Sequence, residues 1–85
     1  MKELFKEAVI LVQNLDKTPT NTELLQLYGL YKQATIGDNN NDEPSMFYVK
    51  EKSKWESWNK HLGKSKEDVM KEYIILVGKL IEKYS

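Results

Sequence analysis

The 85-residue sequence contains no cysteine and no arginine, and both absences limit what the protein can do. Without cysteine there is no disulfide framework and no thiolate metal site, and nothing indicates an oxidising compartment. All 13 basic residues are lysines. Because only arginine offers a rigid bidentate fork, an anion such as phosphate has to be held by ammonium groups and neutral hydroxyls.

Long apolar runs and a surplus of one charge are also missing. No apolar run approaches the ~20 residues that span a bilayer, so we expect no stable membrane insertion. The 13 basic residues are balanced by 13 acidic ones. Because a nucleic-acid-binding surface usually requires a basic surplus, we expect no nucleic-acid partner. The charged segment 1–7 lacks the apolar region of a signal peptide, and we expect a cytoplasmic protein.

Groups that support catalysis or metal binding are scarce. His61 is the only histidine, and Ser57 lies one helical turn before it, but a hydrolytic triad also requires an orienting acid. Asp38, Asp42 and Glu43 form an acidic stretch whose spacing matches no calcium-binding loop. There is no glycine-rich phosphate loop. The sequence therefore predicts no enzyme activity, no metal site and no cofactor.

Apolar residues recur at steps of three and four along four segments, which is the spacing of amphipathic helices. Thr20 to Glu23 and Ser65 to Asp68 have the pattern of capping boxes at the beginning of two of these segments. Gly63 is expected to end the third helix. We predict an all-α four-helix bundle in a single domain, residues 1–85, with helices over about 3–15, 21–35, 50–62 and 66–83.

Two features interrupt the regular pattern. Gly29 and Gly78 lie inside the second and fourth helices, where glycine costs ~1 kcal/mol relative to alanine. We expect both to be mild helix defects. Residues 37–44 are polar and rich in turn-forming residues, which is typical of a solvated connector on the surface.

Tyr28, Tyr31 and Lys32 are spaced so that they share one face of the second helix. Such a face offers a ring for stacking, a hydroxyl donor and a cation, which are the groups that bind a nucleotide phosphate. The residues also fit a plainer interpretation, in which both rings belong to the core and only the hydroxyls reach the surface.

A second group of lysines and aromatic residues begins at Lys50. Lys50 and Lys54 are one helical turn apart and can act together, whereas Lys52 projects elsewhere. These lysines also fit a solvated helix face without a ligand. Trp55 and Trp58 follow at a helical spacing, and Trp58 is expected in the core.

The order of these residues has the form of a known signature. It runs Tyr-x-x-Tyr-Lys-Gln-Ala-Thr-x-Gly-Asp, then a proline, then Lys-x-Lys-x-Lys-Trp-x-x-Trp-Asn. The matching residues are Tyr28, Tyr31, Lys32, Gln33, Ala34, Thr35, Gly37, Asp38, Pro44, Lys50, Lys52, Lys54, Trp55, Trp58 and Asn59, followed by Gly63, Ser65 and Tyr73. This pattern resembles the acyl-CoA-binding protein family, and the resemblance covers nearly all of the chain.

The resemblance implies an up-down-down-up bundle with a site for the head group of CoA. In the resembled proteins adenine stacks at the position of Tyr31. The ribose 3′-phosphate is held at the positions of Tyr28, Lys32 and Lys54. Gln13 stands where the family often has lysine, so it can donate a hydrogen bond but brings no charge. The implied head-group residues are Tyr28, Tyr31, Lys32, Lys50, Lys54 and Tyr73, with Gln13 as a further candidate, and the implied acyl-chain residues are Phe5, Val9, Leu25 and Trp55.

The function that this resemblance implies is non-catalytic, reversible binding of medium- to long-chain acyl-CoA esters. A monomer would buffer these esters and transport them within the cell. Burial of ~10 methylenes contributes at most ~8 kcal/mol, and a nanomolar complex needs about 12 kcal/mol, so head group and tail both have to contribute. Glu51, at a position where the family commonly has glycine, lowers the local positive potential. The alternative is a helical protein-interaction module whose surface tyrosines and tryptophans contact a partner protein.

Overall fold

The computed structural model describes residues 1–84, and helices form where the apolar spacing predicts them. No strand occurs within this part of the chain, so the prediction of an all-α fold with four helices is confirmed. The first and third helices end two to three residues before the predicted positions. Turns occupy residues 60–63, and Gly63 closes them with a positive φ of 84°. The helices are α1 (Lys2–Gln13), α2 (Asn21–Thr35), α3 (Val49–Asn59) and α4 (Lys66–Tyr84).

The beginning of α2 is fixed by the predicted capping box. Thr20 Oγ1 accepts the amide of Glu23 at 3.2 Å, and Glu23 Oε1 accepts the amide of Thr20 at 2.9 Å. Glu23 also accepts Lys83 Nζ at 2.7 Å and the hydroxyl of Tyr84 at 2.5 Å. These bonds, that from Lys83 foremost, lower the pKa of Glu23 to about 2. One carboxylate thus caps α2 and holds the end of α4 beside it.

The directions of the last three helices follow from a few contacts. Glu23 at the beginning of α2 meets the end of α4, whereas Tyr31 near the end of α2 meets Tyr73 in the first half of α4. These two helices therefore run in opposite directions. Gly29 of α2 meets Ser57 of α3, and the N-terminal halves of both helices line one groove, so α2 and α3 run in the same direction.

The core lies where α4 packs on α1 and α2. The aromatic ring of Tyr73 and the aliphatic side chains around it are almost completely buried. Among the four helices α3 packs on α2 alone, to which it contributes the buried Trp58. The core residues are Phe5, Ala8, Leu27, Leu30, Ala34, Val69, Met70, Tyr73, Val77 and Leu80.

The connector between α2 and α3 is held against the bundle over residues 37–41, which the prediction of a solvated connector missed. Asp38 Oδ1 accepts Gln33 Nε2 and the amide of Gly63, each at 2.9 Å. The indoles of Trp55 and Trp58 donate to the carbonyls of residues 41 and 37, each at 2.8 Å. The two indole bonds therefore attach α3 to the connector, in addition to its packing on α2.

Gly29 is not the mild defect that we expected. A Cβ atom at this position would lie 2.1 Å from the carbonyl oxygen of Ser57 and 2.6 Å from its carbonyl carbon. The backbones of α2 and α3 therefore touch at a point where no side chain fits. Gly78 in α4 differs, because a Cβ there would meet no atom within 4 Å.

Candidate functional site

A groove opens between the N-terminal halves of α2 and α3, on one side of the Gly29–Ser57 contact. Its volume is about 510 Å³. Apolar surface dominates its walls, and the polar groups belong to two lysines, a tyrosine, an asparagine and a serine. The lining residues are Asn21, Leu24, Leu25, Tyr28, Val49, Lys50, Ser53 and Lys54.

Two ammonium groups that come from different helices lie near the ring of Tyr28. Lys32 Nζ is 5.8 Å from the ring centroid and Lys54 Nζ is 5.5 Å from it, both within the range of cation–π attraction. Lys32 Nζ also lies 5.3 Å from the ring of Trp58. Within residues 1–84 neither ammonium is paired with a carboxylate. The result is a local positive charge on a protein without net charge.

Lys52 does not contribute to this charge. Its Nζ lies 3.1 Å from Glu43 Oε2 on the connector. The prediction that Lys52 projects away from Lys50 and Lys54 agrees with this ion pair.

Tyr31 takes part in a separate aromatic cluster with residues of α1 and α4. The rings of Phe5 and Tyr73 meet edge to face at 5.0 Å, and Tyr31 lies 6.0 Å from the first and 6.4 Å from the second. Phe5 and Tyr73 are buried, whereas Tyr31 is 41% exposed. Tyr31 thus covers the cluster on the solvent side and retains a ring surface that a ligand can reach.

The phenol of Tyr73 is buried, at 3% exposure, and its ring packs against that of Phe5. Burial, with a smaller effect of Tyr31, raises the pKa of Tyr73 to about 12. The group therefore stays protonated at neutral pH and is able to donate a hydrogen bond to an anion.

The structure divides the face that we predicted on α2. Tyr28 and Lys32 turn toward α3, whereas Tyr31, which lies between them in sequence, turns toward α1 and α4. The two halves remain neighbours because they are carried by one turn of the same helix. A single ligand that contacts both would have to cross the exposed side of α2.

The remaining predicted residues are dispersed. Leu25 lines the groove with Tyr28, and Val9 is half-buried and packs against the core. Gln13 is exposed at the last position of α1. Trp55 is half-buried, but its indole binds the connector, and it is absent from the groove lining. The predictions for Gln13 and Trp55 therefore stay predictions without a contact to the groove.

The sequence reasoning missed four residues that line the groove, Asn21, Leu24, Val49 and Ser53. Leu24 is 42% and Val49 is 68% exposed, so both leave apolar surface in contact with solvent. Their spacing offered a signal, since Leu24 precedes Tyr28 by one turn and Val49 precedes Ser53 by one turn.

His61 lies apart from this groove. It is 6% exposed, and neither ring nitrogen has a hydrogen-bond partner. Burial, assisted by Lys64 and Lys60, lowers the pKa of His61 below its usual value. The predicted neighbour Ser57 forms no hydrogen bond with it.

Two further properties concern residues 1–84 as a whole. None of the helices in this range combines the length and the apolar character needed to cross a bilayer. In the same range no three histidine or acidic side chains are grouped so that they could hold a metal ion.

A comparison with protein families decides the affiliation of the chain. The family model described as Acyl CoA binding protein matches residues 2–77. The chain belongs to the acyl-CoA-binding protein family. Among its relatives, the acyl-CoA-binding protein of Saccharomyces cerevisiae is 51% identical over 85 residues, which cover 100% of this chain and 98% of the relative. The acyl-CoA-binding protein homolog of Drosophila melanogaster is 46% identical, over 100% of this chain and 99% of the relative.

Solved structures of the family have the same fold. The crystal structure of acyl-CoA-binding protein 2 of Oryza sativa superimposes with a TM-score of 0.91 at 41% identity, over 96% of this chain and 89% of the other. The solution structure of the yeast acyl-coenzyme A binding protein gives a TM-score of 0.79 at 50% identity, over 100% of this chain and 99% of the yeast chain. The predicted family and its four-helix fold are confirmed, and a helical protein-interaction module is not favoured.

Proposed function

We propose that this protein binds medium- to long-chain acyl-CoA esters reversibly and without changing them chemically, and that it thereby buffers and transports them in the cytosol as a monomer. The observation that carries the proposal is the pair of ammonium groups near the ring of Tyr28, neither of them paired with a carboxylate, beside an apolar groove. Its occurrence in a member of this family, whose relatives are named for acyl-CoA binding, supports the same ligand.

The head group would be held by the charges around Tyr28. A phosphate beside Lys32 and Lys54 gains two charge-assisted hydrogen bonds, which are about twice as strong as neutral ones. The hydroxyl of Tyr28 is able to donate to the same group without adding charge, and the hydroxyl of Tyr73 is able to donate to a part of the ligand on the side of Tyr31. The partly exposed ring of Tyr31 offers a stacking surface for adenine.

The acyl chain would occupy apolar surface that the fold leaves uncovered. Leu24, Leu25 and Val49 present such surface in the groove. Each methylene that leaves water contributes ~0.8 kcal/mol at most. Because the groove is open to solvent, we expect affinity to rise with chain length by less than this amount for each carbon.

Titration calorimetry with a series of acyl-CoA esters tests the proposal. Affinity should increase with chain length, and free CoA, free fatty acid and dephospho-CoA esters should bind much more weakly than the intact ester. No free CoA should accumulate during incubation. Absence of binding to every acyl-CoA ester, or equal binding of the dephospho esters, would contradict the proposal.

Two lysines of α3 form a matched pair for the head-group site. Lys54→Gln removes an unpaired ammonium beside Tyr28, and we expect ten- to hundredfold weaker binding, since a hydrogen bond to a charged group is worth about 1.5–3 kcal/mol. Lys52→Gln removes the same charge two residues away, but from an ion pair with Glu43, and should change the affinity less than about threefold. Equal losses in both variants would show that only net charge matters.

A further inference from the structure

The contact between Gly29 and Ser57 is the point where the two walls of the groove are joined. A Cβ at Gly29 would be 2.1 Å from the carbonyl oxygen of Ser57 and 3.2 Å from the amide nitrogen of Trp58. Both atoms belong to the backbone, so no side-chain rotation could make room. The two helices approach as closely as they do because residue 29 has no side chain.

The groove begins directly beside this contact. Tyr28 precedes Gly29 on α2, and Ser53 precedes Ser57 by one turn of α3; both line the groove. Since α2 and α3 run in the same direction and touch at Gly29, the groove is the space that opens between them toward their N-terminal ends. The separation of the helices at Gly29 therefore sets the width of the groove.

We propose that Gly29 is a specificity-determining residue, which keeps the groove narrow so that it accepts an unbranched polymethylene chain and disfavours branched or aromatic acyl groups. The inference rests on the proposed binding of acyl-CoA esters and adds the selection among them. A narrow groove can enclose a slender chain on two sides, whereas a bulkier group has to displace a wall.

The expected response to a side chain at position 29 can be derived from the packing. Ordinary contact begins at 3.4 Å, so the carbonyl of Ser57 has to retreat by more than 1 Å from a new Cβ. The helix that moves is α3, because it packs on no other helix than α2, whereas α2 also packs on α4. Tight packing transmits such a displacement along the helix. Gly29→Ala should therefore widen the groove.

The experiment compares Gly29→Ala with Gly78→Ala. Both variants replace a helical glycine by alanine, but a Cβ at Gly78 meets no atom within 4 Å. For each protein, calorimetry gives the ratio of the affinities for a straight-chain ester and for a branched or aryl ester with the same number of acyl carbons. We expect about tenfold preference for the straight chain in the parent, as pocket shape typically gives. The ratio should fall at least threefold in Gly29→Ala and stay constant in Gly78→Ala.

A second variant keeps the test independent of the folding of Gly29→Ala. Ser53→Val adds bulk to the groove without touching the crossing point, and it should raise the preference for the straight chain at least threefold. An unchanged affinity ratio in Gly29→Ala overturns the role of Gly29. If Gly29→Ala does not fold, an unchanged ratio in Ser53→Val overturns it instead. A parent protein that binds both esters equally also overturns it. If no ester binds to any of the proteins, the proposed function itself has failed, and the two failures are thus distinguishable.

Discussion

Replacement of His61 by leucine should make the protein more stable. The imidazole is 6% exposed and neither nitrogen has a partner, although a neutral imidazole carries one donor and one acceptor. A buried polar group without a partner costs ~1–3 kcal/mol, and an apolar side chain of similar size avoids this cost. Leu30 and Leu76 line the same cavity as His61 and would contact the new side chain. We expect the free energy of unfolding to rise by about 1–3 kcal/mol, with a melting temperature about 4–8 °C higher for each kcal/mol.

The same substitution should remove a pH dependence. Burial, then Lys64 and Lys60, lower the pKa of His61 below 6.5, and Glu72 opposes this effect. As the pH falls through 6.5, the unfolded chain binds a proton that the folded protein binds only at lower pH, so stability decreases. The parent should therefore be less stable at pH 5.0 than at pH 7.5. His61→Leu should lose less stability over this interval, in which side-chain carboxylates remain mostly ionised.

Urea denaturation at the two pH values measures both effects. His61→Asn is the control, because it removes the titration but keeps an amide that needs partners, and it should not reach the stability of His61→Leu. The reasoning would be refuted if His61→Leu were no more stable than the parent at pH 7.5, or if both proteins showed the same change between pH 7.5 and 5.0. Acyl-CoA affinity at pH 7.5 should be unchanged, since His61 lies outside the groove.

Three further outcomes are expected. Tyr73→Phe should weaken acyl-CoA binding about ten- to hundredfold in calorimetric titration while the melting temperature barely changes, because it removes only the hydroxyl and keeps the ring. Unchanged affinity would leave Tyr73 a packing role only. In an acid titration followed by circular dichroism, the parent should lose stability as the pH falls from 4.5 to about 2, because the pKa of Glu23 is lowered in the folded protein. Glu23→Gln should lose less stability over this range. The same loss in both proteins would contradict the role of the hydrogen bonds to Glu23. Asp38→Ala should lower the thermal midpoint, because Gln33 and the amide of Gly63 lose their shared acceptor; an unaltered midpoint would mean that the connector is not held by this carboxylate.

The helices could be predicted from the sequence because their signals are local. Apolar residues at steps of three and four place a helix whatever it packs against, and the capping box of Thr20 and Glu23 involves residues three positions apart. The bond from Lys83 to Glu23 joins residues 60 positions apart, and no local pattern contains it.

The site was predicted in composition but not in arrangement. Residues at i and i+3 were expected to act on one face, yet Tyr28 contacts lysines and Tyr31 contacts rings, because α3 and α4 pack on different sides of α2. The role of Gly29 depends on the crossing point of two helices, which helix propensity does not encode. The burial of His61 likewise depends on the turn that follows α3.

The two tryptophans make the connector between α2 and α3 visible to spectroscopy. Trp58 is buried beside Lys32 and Trp55 is half-buried, but both indole N–H groups donate to carbonyls of that connector. Intrinsic emission should therefore respond to movement of residues 37–41 even when a ligand touches neither ring. An anion that neutralises Lys32 alters the electric field at the indole of Trp58 and should shift its emission wavelength. In a fluorescence titration, the emission would thus report both the movement of the connector and the arrival of charge beside Trp58.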